Sequence, residues 1–426
     1  MNNHKRITLP YGDRTIDISL PGKNLLSVIS PKDLRKVPEP THELERSLRA
    51  PIGAPRLSQT AQEAQKVVLL AHVLTRTTPV QLIVPLLLDE LNAAGISDDQ
   101  IVVLIALGTH RPMTVEEIKT RFGEMILNRV QVLNNPWQDP GQLVEIGTTE
   151  NGTAVEVSRL VLEADFVLGV GSIVPHHIIG FSGGAKIVQP GVTGAATTGE
   201  THLLSTRTRR SYLGVVENLV RAEVETIAEQ VGLKAIFNVV MDKHNRLAQA
   251  FYGDPRLAHR AGVRVCEKIY GVPISGQAEV VVASSHPCDI EFWQAHKSLY
   301  SADLAVKDGG TIIVVTPCPE GVSVTHQEML AFTALEAEQI EKAIEVGEIQ
   351  DRVSGALALA WARIRQRAEI TLVSEGISKE ETHALGFTPC EEVQGALEAA
   401  LRVHGPDASV NVLTHAPDTL PIQPGG

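Results

Sequence analysis

The sequence contains no long apolar run. No stretch reaches the roughly 18 apolar residues that a membrane span requires. The basic residues Lys5 and Arg6 near the N-terminus are not followed by the apolar segment of a secretory signal. We therefore expect a soluble protein of the cytoplasm.

Cysteine is scarce, and no two cysteines lie close together in sequence. None of them forms a C-x-x-C pair, which argues against a structural zinc site and against a disulfide framework. We expect reduced thiols that serve in packing. The four cysteines are Cys266, Cys288, Cys318 and Cys390.

Positive charge is also in deficit. The chain has 38 Lys and Arg residues against 50 Asp and Glu residues, which gives a net charge of -12. This balance argues against nucleic acid or an anionic membrane as a partner. An anionic small molecule would have to be bound by a local cluster of Arg, Lys and His that opposes the overall field.

Chain length and apolar patterning predict an α/β protein with more than one domain. A chain of 426 residues is long enough for two or three domains. Residues 7–20 alternate apolar and polar side chains around the turn Tyr11-Gly12-Asp13, which is typical of a β-hairpin. From residue 66 onward, short apolar runs alternate with helical patterns, as in β-α-β units with a parallel sheet. We predict two α/β domains with mainly parallel sheets, at residues 1–271 and 272–426, and an active site in the cleft between them.

The individual elements follow from the same patterns. Strands are predicted at residues 67–70, 101–107, 166–170, 235–241, 279–283, 311–315, 370–373 and 410–413, and helices at residues 80–94, 212–231 and 291–306. The tail from residue 416, which is rich in Pro and Gly, is predicted to be an extended surface segment. Ligands of open α/β sheets bind at the carboxyl ends of strands, so polar residues that follow these strands are candidates for function.

Two polar groups follow the first two buried strands. Thr75 and Arg76 lie in the turn after the first strand, where the arginine could bind a carboxylate or phosphate through two hydrogen bonds, or could be an ordinary surface residue. His110 follows the second strand and precedes a T-x-x-E capping box formed by Thr114 and Glu117. It is therefore a loop residue that could act as a general acid or base, unless it is merely solvated.

Residues 175–186 combine histidines, glycines and a lysine. The glycines allow a ligand to approach the backbone, and residues 182–184 could hold a phosphate through backbone and hydroxyl donors. The spacing is neither that of a Walker A loop nor that of G-x-G-x-x-G. Lys186 could be a covalent anchor or a nucleophile if its amine is desolvated. His176 and His202 could be acid/base residues or metal ligands, although structural roles are the alternative.

The last group is Gln294 and Lys297. They are three residues apart on a predicted helix and therefore lie on one face. They could bind a carboxylate and a neighbouring oxygen together. A solvated helix face is the equally open alternative.

Taken in order, these groups resemble the signature of the nickel-dependent lactate racemase family. The similarity covers nearly the whole chain, because Asn238-Val239-Val240 and Tyr252-Gly253-Asp254-Pro255 also match. The other matching elements are Thr75-Arg76, Gly108-x-His110-Arg111-x-Met113-Thr114, Pro175-His176, Phe181-Ser182-Gly183-Gly184-x-Lys186, Pro190-Gly191, His202 and Gln294-x-x-Lys297.

The resemblance implies a racemase or epimerase of a small 2-hydroxy acid that uses a nickel-pincer nucleotide, pyridinium-3,5-bisthiocarboxylic acid mononucleotide nickel. Lys186 would hold this cofactor covalently through a thioamide, and His202 would be a ligand to nickel. His110 and His176 would be the catalytic acid/base pair during hydride transfer through a 2-keto acid. Enzymes that build the cofactor would be transient partners.

The resemblance also implies two sets of binding residues. Arg76, Gln294 and Lys297 would bind the substrate carboxylate and polarise the hydroxyl oxygen. The cofactor would contact position 73 and the residues Thr75, Arg76, Ser182, Gly183 and Gly184.

The chain departs from the family pattern at several positions. Many members carry Asp where this chain has Val73, so an acidic contact to the nucleotide is missing or replaced. Thr201 precedes His202 where Asn is usual, and Trp361 has no secure alignment with the aromatic residue near the substrate. The substrate is therefore open among lactate, malate, 2-hydroxyglutarate, aromatic 2-hydroxy acids and sugar acids.

Two other classes of function compete with this hypothesis. A non-catalytic nucleotide- or metal-binding homologue would explain Val73, but it would not need both His110 and His176. A conventional nucleotide-cofactor oxidoreductase is disfavoured because no dinucleotide fingerprint follows any predicted strand.

Overall fold

The structure is a computed structural model that describes residues 4–33, 39–72 and 78–423. Val73, Thr75 and Arg76, which belong to the predicted binding sites, lie outside these residues. The described residues form twenty strands and fourteen α-helices. The strands are β1 (His4–Tyr11), β2 (Arg14–Pro21), β3 (Leu25–Ile29), β4 (Val67–His72), β5 (Ile101–Ala106), β6 (Gln131–Asn134), β7 (Leu143–Thr148), β8 (Ala154–Ser158), β9 (Phe166–Ser172), β10 (Pro175–His176), β11 (Gly180–Phe181), β12 (Leu233–Met241), β13 (Leu247–Gly253), β14 (Gly271–Pro273), β15 (Ala278–Ser284), β16 (Val306–Val315), β17 (Ala368–Val373), β18 (Thr388–Cys390), β19 (Val410–Leu413) and β20 (Leu420–Ile422). The helices are α1 (Pro40–Arg49), α2 (Leu57–Thr60), α3 (Val80–Ala93), α4 (Val115–Leu127), α5 (Arg159–Leu162), α6 (Ala195–Ser205), α7 (Leu219–Val231), α8 (Leu257–Tyr270), α9 (Phe292–Ala295), α10 (Lys297–Ala305), α11 (Ala337–Glu345), α12 (Arg352–Arg365), α13 (Lys379–Ala384) and α14 (Val393–His404).

The first large sheet has the strand order β13-β12-β9-β4-β5-β6. Its neighbours are parallel except for β13, which pairs antiparallel with β12. Alternate residues of β4 enter different apolar clusters: Val68 and Leu70 pack on one face, and Val67 and Leu69 on the other. Burial on both faces explains why this strand is a continuous apolar run in the sequence.

The second large sheet has the order β18-β17-β16-β15-β19-β3 and is parallel throughout. Its edge strand β3 comes from the N-terminal part of the chain, and the hairpin β1–β2 packs on the same sheet, where Ile7 and Leu9 share an apolar cluster with Val282 and Ile313. This arrangement differs from the prediction of residues 1–271 as one unit, because long-range strand pairing leaves no mark in a local pattern. The predicted boundary at residue 271 stays a prediction.

The predicted α/β class with two mainly parallel sheets is confirmed, as are the N-terminal hairpin and the predicted strands. The helix predicted from residue 212 begins only at Leu219, because the Asn218 side chain accepts a hydrogen bond from the Arg221 N–H and caps it. The helix predicted at residues 291–306 is divided into α9 and α10 at His296. The predicted surface tail is wrong in part, since β20 pairs with β14 and Ala416 is buried.

None of the helices in the described part of the chain is both long and apolar enough to cross a membrane.

Candidate active site

A cavity that is partly open to solvent lies where the carboxyl ends of β5 and β9 face α9 and α10. The first two elements belong to the first sheet, and the helices follow β15 of the second sheet. This is the position at which open parallel sheets bind ligands. Seven of the predicted site residues line the cavity: His110, His176, Ser182, Lys186, His202, Gln294 and Lys297.

His110 reaches the cavity from the loop after β5. Its carbonyl accepts a hydrogen bond from Trp137 Nε1 at 2.9 Å, which fixes the loop backbone. The Gln294 amide nitrogen lies 3.0 Å from His110 Nε2, and the Glu291 carboxylate lies 3.9 Å from His110 Nδ1. Burial raises the pKa of Glu291. The imidazole is therefore oriented by two polar neighbours that follow β15 in the other part of the chain.

Arg111, the next residue, connects the loop after β5 of the first sheet with the segment after β16 of the second sheet. Its guanidinium binds Glu117 at 2.8 Å and Glu320 at 2.9 Å. Glu117 also completes the predicted capping box with Thr114, which is confirmed. The hydrogen bond from Arg111 lowers the pKa of Glu117 to about 2, so both groups are charged at neutral pH. This pair of contacts holds the His110 loop against the segment after β16.

A stack of aromatic rings forms one wall of the cavity. The His177 ring lies 4.8 Å from the His176 ring and 4.0 Å from the Tyr300 ring and is nearly parallel to both. His296 packs edge-on against His177 at 5.0 Å. Burial lowers the pKa of His177 and of His296 well below the ordinary value, so both rings are neutral and shape the wall. His177 and His296 were not among the predicted site residues, because their sequence spacing gives them no signal of their own.

One tautomer of His176 is favoured whenever its ring is neutral. Its Nδ1 accepts a hydrogen bond from the Ile178 N–H at 3.3 Å, so the proton of the neutral ring lies on Nε2. The antiparallel pair β10–β11 places this histidine and the following glycine loop side by side. Both are therefore presented to the cavity by one tight hairpin.

The glycine loop after β11 is bound to the first sheet. The Ser182 hydroxyl donates to the Ser172 carbonyl at 2.9 Å, and the Gly184 N–H donates to Asn238 Oδ1 at 2.7 Å. A Cβ at Gly183 would lie 2.6 Å from the same Asn238 oxygen, which explains the glycine. The Ser182 hydroxyl and the Gly184 N–H, which were predicted to hold a phosphate, are thus used inside the protein. Of Ser182, Gly183 and Gly184, only Ser182 lines the cavity. Contact of Ser182, Gly183 and Gly184 with a cofactor stays a prediction.

The buried side chains of Arg221 and His259 bind the backbone carbonyls of the glycine loop and of the residues before it. Arg221, which is 1% exposed, donates to three loop carbonyls. Those carbonyls belong to Ile179, Phe181 and Gly183. Burial lowers the pKa of Arg221 to about 9, which still leaves it charged at neutral pH. His259 binds the Ser182 carbonyl through Nε2 at 2.9 Å while Arg260 donates to its Nδ1. Neither Arg221 nor His259 belongs to a recognisable sequence motif, so their roles could not be predicted.

Lys186 and His202 offer the two attachment points that the resemblance implies. Lys186 lies in a single 3-10 turn, Gly184–Ile187, and lines the cavity. His202, on α6, donates from Nδ1 to the Thr198 carbonyl at 2.8 Å, so Nε2 carries the lone pair. Burial lowers the pKa of His202 to about 4 and keeps the ring in the neutral form that binds metals.

Within residues 4–33, 39–72 and 78–423, no group of three or more His, Cys, Asp and Glu is arranged to hold a metal ion. One lysine for covalent attachment and one neutral imidazole fit a metal cofactor that brings its remaining ligands with it. The residues present therefore fit the nickel-pincer nucleotide that the resemblance implies.

Gln294 and Lys297 lie on one face, as predicted, because the Lys297 amine donates to the Gln294 amide oxygen. Between the two tryptophans near this site, Trp293 lines the cavity. Trp361 is fully buried and directs its Nε1 towards His296 Nδ1 at 3.3 Å, without lining the cavity. Trp293, rather than Trp361, is therefore the tryptophan at the cavity wall.

A hydrogen-bonded network also joins the His110 loop to the rest of the molecule. Thr109 Oγ1 lies 3.1 Å from His326 Nε2, and His326 Nδ1 is hydrogen-bonded to Asp351. The Trp293 ring stacks on His326 at 3.9 Å. Burial opposes the charge of Asp351, but the hydrogen bond from His326 prevails and the pKa of this carboxyl is lowered. The members of this network come from four separate segments, so the sequence pattern could not predict it.

Asp351 has a further role as the N-cap of α12, where it accepts from the Val353 and Ser354 N–H groups.

His72, the last residue of β4, was not among the predicted site residues. It lines the cavity, and its Nδ1 lies 3.2 Å from the Thr78 hydroxyl. Its position at a strand end was the available signal.

Comparison with protein families decides the relationship. A model of the lactate racemase N-terminal domain matches residues 11–214, and a model of the lactate racemase C-terminal domain matches residues 274–419. The chain belongs to the lactate racemase family. This confirms the resemblance drawn from the motifs and makes the chain an isomerase.

Two curated relatives are similar along their whole length. Lactate racemase of Thermoanaerobacterium thermosaccharolyticum is 28% identical over 415 residues, which cover 96% of this chain and 97% of the relative. Lactate racemase of Lactiplantibacillus plantarum is 28% identical over 425 residues, which cover 98% and 99%.

Solved structures agree with this assignment. The lactate racemase apoprotein from T. thermosaccharolyticum superposes with a TM-score of 0.87 at 27% identity, and the match covers 99% of this chain and 100% of that one. A protein from Thermotoga maritima superposes with a TM-score of 0.73 at 17% identity over 92% of this chain and 100% of that one, which shows a shared fold.

Proposed function

We propose that this chain inverts the configuration at C2 of a small 2-hydroxy acid, with lactate or a close relative as substrate. The observation that carries the proposal is that His110, His176, Lys186, His202, Gln294 and Lys297 all line one cavity. Family membership and two relatives named lactate racemase support it. A protein that only bound a nucleotide would have no need of two histidines at the same cavity.

His110 and His176 would move the hydroxyl proton. They reach the cavity from different strand ends, β5 and β9–β10, and inversion at one carbon requires a proton carrier for each configuration. One histidine would take the proton from the hydroxyl oxygen as the C2 hydrogen leaves. The other would return a proton to that oxygen after the hydrogen comes back to the opposite face.

Lys186 would hold the cofactor through a thioamide, and His202 Nε2 would be a ligand to nickel. When bound, the nickel-pincer nucleotide would supply a hydride acceptor and donor for C2, with a free 2-keto acid between the two half-reactions. The neutral state of His202 and its Nδ1 contact with Thr198 leave the required nitrogen for the metal. Thr75 and Arg76, outside the described residues, are proposed as further contacts to the nucleotide.

Lys297 and Gln294 would bind the substrate carboxylate together with Arg76. The amine of Lys297 and the amide of Gln294 are already held against each other, and the amide also contacts His110. A carboxylate bound there would place C2 close to the proposed base. Lys297 also brings a positive charge to the cavity in a chain whose net charge is -12.

The cofactor is tested by intact mass and nickel analysis. The protein would be produced in a host that also makes the cofactor-building enzymes, beside Lys186→Ala and the matched surface control Lys119→Ala. We expect a nucleotide adduct and about one nickel per chain on the wild type and the control, and neither on Lys186→Ala. An adduct that persists in Lys186→Ala would contradict the proposed attachment point.

The mechanism is tested with lactate that carries deuterium at C2. Hydride transfer between C2 and the cofactor returns the label to C2, so the inverted product should retain deuterium. Direct proton abstraction by two bases would exchange the label with water. Loss of deuterium in step with inversion would replace the hydride mechanism with a two-base proton mechanism at the same histidines.

A further inference from the structure

A second cavity, partly open to solvent, lies directly behind the aromatic wall of the first. The two cavities share His177, Ile178 and Leu357 as lining residues. Since the His177 ring stacks on His176 at 4.8 Å, a single imidazole separates a proposed proton carrier from the second cavity. None of the predicted site residues accounts for this space.

The second cavity is lined by four arginines, and we call it the arginine pocket. Arg209 and Arg210 come from the segment after α6, whereas Arg363 lies on α12 and Arg367 just beyond its end. Both parts of the chain therefore bring positive charge to one place, in a protein with a net charge of -12. The only acidic side chain that lines the described pocket is Asp303.

Two of these arginines are already used within the protein. Arg363 donates to the Thr208 carbonyl at 3.1 Å and also to the Thr206 carbonyl. Arg367 binds Asp303 and Asp308, which neutralises it. These contacts fix the walls of the pocket.

Arg209 and Arg210 are different, since they are exposed and form no hydrogen bond or close ion pair among the described residues; Arg210 interacts with Asp303 and Asp308 only through its charge. Guanidinium groups of this kind are suited to bind a carboxylate or a phosphate through two hydrogen bonds.

An independent observation at the common wall also indicates a ligand. His177 is 6% exposed, and its Nε2 is buried without a hydrogen-bond partner in the described part of the chain. Buried polar nitrogens are nearly always paired, so an unpaired one next to two cavities indicates a partner that the protein does not itself provide. His177 lines both cavities, and an oxyanion that reaches this nitrogen accepts from it when the neutral ring carries its proton there.

We infer that the arginine pocket is an oxyanion site, specific for a carboxylate or phosphate group, that lies one side chain away from the reaction cavity. The occupant has one of two sources. It is either a second acidic group of an extended 2-hydroxy acid, which rests on the proposed function, or a separate oxyanion bound beside the substrate. Lactate, which ends in a methyl group, cannot supply that second charge.

The site itself is tested by calorimetric titration of inorganic phosphate into the protein at low ionic strength, which does not depend on activity. The double variant Arg209→Gln/Arg210→Gln is compared with the control Arg159→Gln/Arg402→Gln, which removes two exposed arginines from outside the pocket. We expect the phosphate Kd to rise roughly tenfold or more in the first variant and to stay unchanged in the second. Equal Kd values in wild type and both variants would overturn the inference.

The source of the anion is tested with two substrates of equal chain length, 2-hydroxyglutarate and 2-hydroxypentanoate, on the nickel-loaded protein. If the pocket receives the second acid group, the wild type favours the diacid, and the ratio of kcat/KM values falls roughly tenfold or more in Arg209→Gln/Arg210→Gln. If the ratio is the same in both proteins while phosphate binding is weakened, the occupant is a separate oxyanion. Failure of the proposed function would abolish turnover of both acids and leave the phosphate titration intact.

Discussion

Acidification should destabilise this protein through histidines that are buried in the neutral form. His177, His259 and His296 are 6%, 1% and 2% exposed, and burial lowers the pKa of each well below the ordinary value. In the unfolded chain the same rings take up protons near their usual pKa of about 6.5. Folding therefore becomes less favourable wherever the unfolded chain binds protons that the folded chain excludes.

The sign and size of the effect follow from the difference in bound protons. The stabilisation from these groups is fully present above about pH 6.5 and is lost as the pH falls below that value towards the lowered pKa of the folded state. Between about pH 7.5 and about pH 5.5, each such histidine costs about 1.4 kcal/mol of unfolding free energy. The three together cost about 4 kcal/mol, a large part of the 5–15 kcal/mol typical of a folded domain.

The assay is urea unfolding of the apoprotein at these two pH values, combined with direct measurement of proton uptake in weakly buffered solution. His259→Gln is the diagnostic variant, because the glutamine amide can still donate to the Ser182 carbonyl that His259 binds. We expect the pH dependence of its unfolding free energy to be smaller by about 1.4 kcal/mol over the same interval, with about one proton fewer taken up. A pH dependence identical to that of the wild type would refute the assignment of His259 as a buried neutral ring.

Two further substitutions test contacts that hold the site together. Gly180→Ala should lower the unfolding free energy by more than about 3 kcal/mol, because its Cβ would lie 2.0 Å from the Val215 carbonyl oxygen at a φ of +82°. The control is Gly152→Ala, where φ is +89° but no atom lies within 4 Å of the added Cβ. This variant should lower the unfolding free energy by only about 1–2 kcal/mol in the same urea assay. Thr109→Val should cost about 1–3 kcal/mol, because it leaves the buried His326 Nε2 without its hydroxyl partner. Thr109→Ser keeps the hydroxyl and should behave like the wild type, and equal unfolding midpoints for the Val and Ser variants would contradict the contact.

The residues of the candidate site that could be predicted are those with a local signal. His110 and His176 follow buried strands, and Lys186 belongs to an unusual cluster of glycine and histidine, so sequence pattern and family resemblance pointed to the same positions. Gln294 and Lys297 could be placed on one face because helical spacing determines which side chains are neighbours. All five line the observed cavity.

The supporting residues could not be predicted, because their roles depend on which segments meet in space. Arg221 resembles any helix arginine in the sequence, yet it is buried beneath the glycine loop and donates to its carbonyls. His326 and Asp351 are 25 residues apart, and only folding brings them together with Thr109. Ser182 and Gly184 illustrate the opposite case, since their donors looked available in sequence but are used by the protein itself.

The sequence by itself determined the α/β class, the strands of the two sheets, the caps of helices such as α4 and the order of the family motifs. These features depend on side-chain periodicity and on short-range hydrogen bonds, which a linear pattern records directly. The tertiary structure decided that β3 and the N-terminal hairpin join the second sheet, that the glycine loop is held by buried partners, and that four arginines form a pocket behind the aromatic wall. These features depend on contacts between distant segments. Such contacts form only once the chain has folded, and their free energy comes from apolar burial and from the arrangement of charges.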